Sequence, residues 1–532
     1  MRKCIIVSFV VSFALGAVAG GFSITAFGAK EGGAKCTDAF TRAIAACAEA
    51  GGGRVVVPSG RWFSGAIRLK SNVELHLEEG AEILFSQDPN DYLPAVPTSW
   101  EGMECWNYCP LVYAYCCTNV AVTGVGTLRA YDGEWRDTKW YPWVWQENGI
   151  RDARRQLYDW GATDYPVEKR QIWKMENANT RPHFVQFNRC KDVRWESFKV
   201  RNSPFWTLHL YLCEDVEVRG LDVCAHGNNN DGIDIEMCRN VLVENCTFDQ
   251  GDDGVVIKSG RNRDAWRLHT PTENVLVRNC RIANAHTVFG IGSEISGGVK
   301  NVRMENCTAD TVGRVVYIKT NRRRGGVIEN VSVDGISCRE STESVFEIAM
   351  DVLYEWAKLP EYETALTSIS NVSVRNISCE KAACGIRISG DRLLKPRNVD
   401  FAGWRIGRAS WRWVDVANVE SLTYDGLPLL VEPKICHGRT PFPFSAYDEV
   451  FARVVRADRA ADAAWLACDT PEKAVAHGAE LRAKAITALG GFPPKCDLRP
   501  QPPELSCDGA SLPSGSRVLF SAVSGGCRAV RT

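Results

Sequence analysis

The sequence lacks a net charge of either sign, and it lacks long apolar runs beyond its first residues. Lys and Arg number 63 against 64 Asp and Glu in 532 residues, so the formal net charge is −1. A nearly neutral chain has no overall field to attract a polyanion, so we expect no nucleic-acid partner, and an acidic ligand would need a local cluster of cations. No later stretch reaches the roughly 20 apolar residues of a transmembrane helix, so we expect no membrane span.

The N-terminus has the pattern of an export signal. Arg2 and Lys3 precede an apolar run over residues 5–15, and small residues follow at positions 17–19. A short apolar run between cations and a small-residue cleavage site is typical of a secretory signal peptide. We therefore expect residues 1–19 to be removed and the mature chain to be secreted or periplasmic. A buried N-terminal strand is the alternative interpretation.

The cysteines do not follow the pattern of a disulfide framework. The chain has 22, of which Cys4 lies in the expected signal, and the remaining 21 are an odd number for an exported protein. Cys246, Cys280 and Cys307 recur in the similar phrases VENC, VRNC and MENC. A repeated position predicts stacked, buried thiols that act as small apolar residues and need no partner.

A repeat runs through most of the chain. Its marker is Asn or Asp followed by Val and alternating polar and apolar residues, and it occurs at Asn72, Asn119, Asp192, Asp215, Asn240, Asn274, Asn301, Asn330, Asn371, Asn398 and Asn418. Subtraction gives steps of 20 to 41 residues from Asp192 onward, and the shortest is about what three short strands and three turns need. Strand units stacked in one dimension predict an all-β parallel β-helix, with the asparagines at a corner and bonded to neighbouring backbone.

Segments outside the repeat complete the expected organisation. A helix over 37–50, ended by three glycines, should cap the first rung of a solenoid that spans residues 20–431. An insertion over 131–182 holds six tryptophans without strand alternation, and such excursions usually shape one binding face. Residues 432–532 should form a short helical and irregular C-terminal extension.

Part of this extension resembles the beginning of an esterase-like domain. Residues 481–493 are similar to the segment that leads into bacterial acetyl-esterase-type α/β-hydrolase domains. No Gly-x-Ser-x-Gly motif follows in the sequence, so we expect no esterase activity from it. A plain helical extension is the alternative.

Several polar residues share nearly the same offset from the repeat marker. Asp252 and His286 each lie 12 residues beyond their markers, with Asp253 next at 13, while the offsets of Asp231 and Lys319 are 16 and 18. Because rungs stack about 4.8 Å apart, residues at one offset lie above one another. Loop insertions absorb the small differences, so the sequence predicts one polar patch on four successive rungs.

Clustered carboxylates are what cleavage of a glycosidic bond requires. One carboxyl group must give a proton to the leaving oxygen, and another must be ionised to activate water or attack the sugar. Crowding of like charges raises at least one pKa, so proximity itself creates the acid and the base. An isolated Asp-Asp pair would more often be a turn, and close acidic residues also bind calcium; the shared register favours catalysis.

At these residues the sequence resembles the polygalacturonase family, glycoside hydrolase family 28. The matching phrases are Asn229-Asn230-Asp231-Gly232-Ile233-Asp234, Gly251-Asp252-Asp253-Gly254, Ile257-Lys258-Ser259-Gly260, His286, Gly292-Ser293-Glu294-Ile295-Ser296-Gly297-Gly298 and Ile318-Lys319-Thr320. The resemblance covers roughly residues 22 to 430 and implies a right-handed, pectin-lyase-like β-helix. It also implies hydrolysis of α-galacturonosyl bonds in pectic polysaccharide, with inversion at the anomeric carbon.

The resemblance implies a role for each catalytic residue. Asp252 would be the general acid, Asp231 and Asp253 would hold and activate the water, and His286 would support the protonation of the acid. No cofactor and no metal ion are expected. The phrase that begins at Gly292 is similar to exo-acting bacterial galacturonidases, which agrees with a pocket closed by the 131–182 insertion and by residues 351–363.

The substrate would be held by polar residues around this cluster. The resemblance implies Asn229, Lys258 and Lys319 as binding residues, but Tyr317 stands where the family has a carboxylate-binding arginine. Arg322, at the start of a run of three arginines, is a possible replacement, and a solvated charge run is the alternative.

Two functions from other classes remain open from the sequence. A calcium-dependent pectate lyase shares the expected fold, and there the aspartates would hold calcium while Lys319 acts as the base. A non-catalytic, polysaccharide-binding β-helix would bind the same pectic or oligogalacturonide ligand and release no reducing ends. We expect a monomer in each case.

Overall fold

A computed structural model describes residues 21–139, 149–163, 165–175, 180–352, 364–429, 519–523 and 526–530. The chain divides into two compact units, Met1–Glu449 and Val450–Thr532. In the second unit the described residues are the antiparallel strands Leu519–Val523 and Gly526–Val530. Most of the extension predicted for residues 432–532, including its helical part, lies outside the described residues.

The first unit is a parallel β-helix with three faces. The first face consists of the strands β1 (Phe22–Ser23), β2 (Gly53–Val57), β5 (Val73–Leu77), β10 (Thr118–Gly124), β13 (Lys191–Glu196), β16 (Glu214–Arg219), β19 (Arg239–Glu244), β22 (Thr272–Arg278), β24 (Val299–Glu305), β26 (Val327–Asp334), β28 (Ser368–Arg375), β30 (Arg397–Ala402), β32 (Leu422–Tyr424) and β33 (Leu427–Pro428). All these neighbours pair in parallel except β32 and β33, which pair antiparallel.

The other two faces are separate in the early rungs and continuous in the later ones. The second face begins with β3 (Gly60–Ser64), β6 (Ala81–Phe85), β11 (Thr127–Arg129), β14 (Lys199–Arg201), β17 (Asp222–Ala225) and β20 (Thr247–Gln250). The third begins with β4 (Ile67–Arg68), β9 (Val112–Tyr115), β12 (Val185–Asn188), β15 (Leu208–Tyr211), β18 (Ile233–Glu236) and β21 (Val255–Lys258). Long strands then span both faces: β23 (Arg281–Gly292), β25 (Thr308–Lys319), β27 (Ser337–Ala349), β29 (Ser378–Ser389) and β31 (Arg405–Ala417).

Inward side chains form columns because the rungs are in register. One column on the first face consists of Val216, Val241, Val275, Val302, Val331, Val372 and Val399, each paired with the next. All are buried, and full burial of such a side chain stabilises the fold by about 1.5–3 kcal/mol. Cys246, Cys280 and Cys307 are likewise buried free thiols, so the prediction for the repeated cysteines is confirmed.

The marker residues form a ladder at one corner, but their bonding differs from the prediction. Asn301 donates through Nδ2 to Oδ1 of Asn274 at 3.3 Å, and Asn330 donates to Asn301 at 2.9 Å. The sequence analysis predicted bonds to neighbouring backbone, whereas most rungs bond side chain to side chain. Each marker has a positive φ, which Asn tolerates better than most residues, and this left-handed turn aligns the amide groups along the axis.

The first rung is covered by α1 (Thr37–Glu49), as predicted. Its buried residues recur at helical spacing, and Phe40, Ile44 and Cys47 face the core. Gly51, Gly52 and Gly53 follow with positive φ, which ends the helix and leads into β2. The cap therefore protects the apolar end of the solenoid from solvent.

A hairpin and two helices extend outward from the third face. The hairpin pairs β7 (Val96–Trp100) with β8 (Met103–Asn107), and the helices are α2 (Gly149–Ala162) and α3 (Asn262–Leu268). Short 3₁₀ turns lie at Ile24–Phe27, Pro89–Tyr92, Trp135–Asp137, Val167–Lys169 and Ile172–Lys174. Among the residues described, none of the helices has the length and apolar character needed to span a bilayer.

The hairpin is fixed to the solenoid by buried polar contacts. The backbone N–H of Glu104 donates to Oδ2 of Asp264 at 2.8 Å, and Arg170 pairs with the same carboxylate at 2.9 Å. Ser99 donates through Oγ to Oε2 of Glu236 at 3.0 Å. Buried groups with these partners hold a loop in one position, so the hairpin forms a rigid wall beside the third face.

Candidate active site

The three predicted aspartates lie at turns that lead into the third face. Asp231 precedes β18, and Asp252 and Asp253 precede β21 on the next rung. A Cβ added at the following residue, Gly254, would lie 3.2 Å from the carbonyl oxygen of Thr287, so the two backbone segments pass close to each other there. One oxygen from each aspartate lies within 4.8 Å of the other two. The register argument from the sequence therefore placed these carboxylates together correctly.

His286 and Lys319 complete the polar patch predicted from the repeat. The backbone N–H of His286 donates to the carbonyl of Asp252 at 2.8 Å, and Nδ1 of His286 lies 3.2 Å from Oδ1 of Asp252. Lys319 donates through Nζ to Oδ2 of Asp253 at 2.8 Å. Five predicted residues thus meet in one cluster across four rungs.

The three carboxyl groups have different electrostatic environments. Burial, reinforced by the charges of Asp234 and Asp252, raises the pKa of Asp231 well above its ordinary value. Burial alone would also raise the pKa of Asp253, but the ammonium group of Lys319 lowers it below the ordinary value. The cluster therefore contains one carboxyl group whose surroundings favour the protonated form and another whose surroundings favour the ionised form.

Lys258 is a buried cation among three acidic side chains. Its Nζ lies 3.3 Å from Glu294, 3.4 Å from Asp234 and 3.7 Å from Asp231. The ammonium also lies 4.1 Å from the ring centroid of Trp206. These contacts raise the pKa of Lys258 although burial opposes it, so the side chain stays charged. Its partners suit it to holding the acidic cluster in place.

Asp234 and Glu294 differ in the number of cations that they contact. Burial raises the pKa of Asp234 to about 8. The ammonium group of Lys258 opposes this shift, but Lys258 also contacts Asp231 and Glu294. Glu294 pairs with both Lys258 and Arg261, and these two cations hold its pKa well below the ordinary value despite burial. Glu294 is therefore ionised, and Arg261 is fixed beside the cluster.

The remaining predicted binding residues fall into two groups. Asn229 and Tyr317 line the same cavity as the aspartates, and Oδ1 of Asn229 accepts a bond from Arg181 at 3.0 Å. Arg322 is not among the residues that line this cavity. It pairs instead with Asp391 at 2.6 Å.

Sequence reasoning missed several side chains of the site. The guanidinium of Arg314 lies 4.3 Å from the ring centroid of Tyr317 and lines the cavity, three residues before Tyr317 on the same strand. Glu101 of the hairpin and Arg154 of α2 also line it and pair with each other. The repeat could have indicated Arg314, whereas the hairpin and α2 lie outside any register.

Together these residues enclose a cavity of about 400 Å³. Its floor carries Asp231, Asp252 and Asp253, and one side is the wall that contributes Glu101 and Arg154. Carboxylates on the floor and cations around them suit an acidic sugar whose glycosidic bond lies over the aspartates. Trp140, Trp143, Trp145 and residues 353–363, which the sequence analysis expected to close the pocket, lie outside the described residues.

A cleft that holds several carboxyl groups together has what cleavage of a glycosidic bond requires, and comparisons with known proteins identify the family. The model of "Glycosyl hydrolases family 28" matches residues 168–423. A solved hyperthermoactive exopolygalacturonase from Thermotoga maritima is 37% identical, and the match covers 76% of this chain and 92% of that one with a TM-score of 0.69. The chain belongs to glycosyl hydrolase family 28 and is a glycoside hydrolase with a right-handed β-helix.

Two curated relatives are similar over part or most of the chain. The "Exo-poly-alpha-D-galacturonosidase" of Dickeya chrysanthemi is 24% identical over 76% of this chain and 74% of its own. The "Probable polygalacturonase" of Vitis vinifera is 27% identical over 54% of each chain. The chain thus spans about half the length of the grapevine relative.

The contact between His286 and Asp252 predicts a feature of the pH profile. The hydrogen bond to Asp252 raises the pKa of His286 above its ordinary value. The sequence analysis predicts that His286 supports the protonation of Asp252, and an imidazole ring carries the additional proton only below its pKa. We expect kcat/KM to fall as pH rises through the pKa of His286. In His286→Gln this decrease should no longer occur in that pH range. Identical profiles of kcat/KM against pH for the two proteins would exclude this role.

Proposed function

We propose that the protein is an exo-acting, inverting hydrolase of α-galacturonosyl bonds in pectic polysaccharide. The observation that carries the proposal is the cluster of Asp231, Asp252 and Asp253, which have one oxygen each within 4.8 Å of the others. Burial raises the pKa of Asp231, whereas the ammonium group of Lys319 lowers the pKa of Asp253. Membership in glycosyl hydrolase family 28 and the similarity to named exopolygalacturonases support it.

In this proposal Asp252 is the general acid. Its side chain is 23% exposed, against 5% for Asp231 and 3% for Asp253, so it is the carboxyl group that can reach the leaving oxygen. His286 lies against it on the open side and supplies protons from solvent.

Asp253 acts as the base that deprotonates the attacking water, and Asp231 holds the same water by a hydrogen bond. The ammonium of Lys319 keeps Asp253 ionised, as a general base requires. As the water attacks the anomeric carbon, its proton passes to Asp253 while the glycosidic bond breaks and Asp252 protonates the leaving oxygen. One displacement of this kind inverts the anomeric configuration.

The exo-acting mode rests on the wall at one side of the cavity. Glu101 is fixed by Arg154 and Tyr158, and the carbonyl of Gly102 accepts from the backbone N–H of Arg261 at 2.9 Å. A polysaccharide cannot pass through a wall anchored in this way, so a chain end has to enter the pocket. Release of single sugars from one end is the consequence.

The test is product analysis on oligogalacturonides of defined length. We expect monogalacturonate as the first product, together with an oligomer shortened by one sugar. Oligomers of intermediate length at early times would contradict the exo-acting mode, and absence of any new reducing end would contradict hydrolysis.

We propose that Lys319, which contacts Asp253, also binds a carboxylate group of the substrate. Charge-assisted contacts contribute about 1.5–3 kcal/mol, so Lys319→Met should raise KM and lower kcat on an oligogalacturonide by roughly tenfold or more in kcat/KM. Arg322→Met is the comparison, because Arg322 pairs with Asp391 and does not line the cavity. A larger loss in Arg322→Met than in Lys319→Met would reverse this assignment of the binding cation.

A calcium-dependent lyase is the second candidate, because three clustered carboxylates are also potential metal ligands. Two ammonium groups compete with a cation at this place: Lys319 at 2.8 Å from Asp253 and Lys258 at 3.7 Å from Asp231. We therefore expect the rate to be unchanged by EDTA. Loss of activity on chelation, restored by calcium and accompanied by an unsaturated product, would favour the lyase.

We also propose that residues 1–19 direct export and that the mature protein acts outside the cytoplasm as a monomer. Residues 432–532 form a separate C-terminal extension in this proposal. The basis is the cation-apolar-small pattern of the N-terminus and the end of the repeat near residue 431. Mass spectrometry of the exported protein should show a chain that begins near Gly20. Size-exclusion chromatography of that protein tests the monomer.

A further inference from the structure

A second cluster of chemically reactive side chains lies on the outer side of the second face. Cys224 and His226 are two residues apart at the end of β17, so both point outward, and Asp249 lies on β20 in register with Cys224. Nε2 of His226 lies 2.8 Å from Oδ1 of Asp249, and Sγ of Cys224 lies 3.8 Å from Oδ2. None of the three lines the cavity that contains the catalytic aspartates.

Cys224 differs from the repeat cysteines. Cys246, Cys280 and Cys307 point into the core, where a thiol replaces a small apolar side chain. Cys224 occupies an outward position on its strand and is partly exposed, so core packing does not account for it. Its neighbours are an imidazole and a carboxylate, which are groups that bind metal ions together with thiolates.

The spacing of the three side chains fits one tetrahedral ion. One donor atom from each residue lies within 4.8 Å of the others. Zinc takes sulfur at about 2.3 Å and nitrogen or oxygen at about 2.0–2.2 Å, which places neighbouring ligand atoms roughly 3.3–3.6 Å apart. Small side-chain rotations of Cys224 and His226 would bring the donors to these separations without movement of the strands.

A fourth residue orients the carboxylate. Asn284 on β23 donates through Nδ2 to Oδ1 of Asp249 at 2.8 Å. Metal-binding carboxylates are usually held by an outer hydrogen bond of this kind. Three protein ligands on two adjacent strands leave one coordination position for water, and the thiolate favours zinc over calcium or magnesium.

We propose that Cys224, His226 and Asp249 form a binding site for a divalent ion of the zinc class. On binding, the thiol proton of Cys224 is released to solvent, and a metal–sulfur bond forms as the imidazole and carboxylate coordinate the same ion. The site is independent of the proposed hydrolysis, since the chemistry at the aspartates uses none of these groups.

The position of the site gives it a structural consequence. Asp249 precedes Asp252 by three residues, and His226 precedes Asp231 by five, so the ion would join the two turns that carry these aspartates. Gly251 already packs against the backbone of His226 and Gly227. A bound ion should therefore raise the Tm of the protein, as any ligand specific for the folded state does.

Titration of the reduced, full-length protein with Co²⁺ tests the proposal. We expect a thiolate-to-cobalt charge-transfer band in the near ultraviolet, d–d bands of tetrahedral cobalt, and loss of both on addition of Zn²⁺. Cys224→Ser should remove the charge-transfer band, and His226→Ala should weaken binding at least tenfold. Asn284→Ala should weaken it by about 10-fold or more through the carboxylate that it orients.

Two matched variants distinguish this site from other ligands in the chain. Cys116→Ser removes the exposed thiol of another rung, and Asp252→Asn alters the catalytic cluster; both should keep the full band. A band of full amplitude in Cys224→Ser, or cobalt affinity unchanged in His226→Ala, would overturn the proposal. Absence of the band in the reduced wild-type protein, whose native fold is checked by circular dichroism, would overturn it as well.

Discussion

Asp252→Asn should lower kcat on an oligogalacturonide by about 10²–10⁴-fold, the usual contribution of a general acid. An amide cannot donate the proton that the leaving oxygen needs, but it has almost the same shape as the carboxyl group. The side chain of Asp252 accepts a bond from the backbone N–H of Asp253 at 3.0 Å, and an amide oxygen can also accept that bond. The fold should therefore be retained while the chemistry is lost.

Asp253→Asn should lower kcat by a similar factor, because the attacking water would no longer have a base to accept its proton. Asp310→Asn is a suitable control, since Asp310 is an exposed residue that pairs with Arg281 on the solenoid surface. Initial rates at saturating substrate and circular dichroism spectra check both the loss and the integrity of the fold. Near-native kcat in either active-site variant would remove that residue from the proposed mechanism.

Lys258→Met should be the most destabilising single change in the site. Removal of the ammonium leaves Asp231, Asp234 and Glu294 crowded in a buried region with one fewer cation. Loss of one partner from a buried ionic network costs about 3–5 kcal/mol in free energy of unfolding. Activity should fall as well, because Lys258 holds Asp231 and, through Glu294, the neighbouring loop.

The pH dependence of this variant gives a separate check. Lys258 helps to depress the pKa of Glu294, and a depressed carboxyl pKa stabilises the fold above the unfolded pKa and less as pH falls through the folded value. The deficit of Lys258→Met should therefore be large at neutral pH and smaller in acid. Urea unfolding at two pH values measures it.

Lys300→Met is the matched control for Lys258→Met. Lys300 is 41% exposed and pairs with Glu329 at 3.3 Å, and exposed pairs contribute about 0–1 kcal/mol. Equal losses of stability in the two variants would show that the buried network around Lys258 has no special role.

Much of the catalytic cluster could be predicted because the fold is a repeat. In register, an offset of 12 from the marker places His286 above Asp252, and the structure has them 3.2 Å apart. The same argument placed Lys319 near the aspartates although its offset differed by six residues. Strand pairing absorbs such differences in loops, because hydrogen-bond register rather than sequence distance fixes the height of each residue.

Residues outside the register could not be placed in the same way. Glu101 and Arg154 reach the cavity from a hairpin and a helix whose positions depend on buried contacts such as Glu104 with Asp264. Arg322 was a candidate for the missing arginine because it is close to Lys319 in sequence. In the structure Arg322 pairs with Asp391, a contact that sequence distance alone does not indicate.

The marker asparagines gave the correct corner but not the correct bonds. A positive φ was not assumed for them, and it is this turn geometry that orients each amide toward the next rung instead of toward the backbone. Local side-chain bonding of this kind depends on backbone angles that a pattern of residue types does not contain.

The central claim is that the aspartate cluster hydrolyses an α-galacturonosyl bond in one inverting step. Its direct test is a ¹H NMR time course of trigalacturonate with the wild-type enzyme, read before mutarotation. Carboxyl groups in inverting enzymes usually lie about 6.5–9.5 Å apart and in retaining enzymes about 5–5.5 Å. The nearest oxygens of the three aspartates lie within 4.8 Å of one another, so the spacing does not favour inversion and the configuration of the product has to be measured. The account predicts β-galacturonate as the first product; α-galacturonate first, or an unsaturated product, would contradict it.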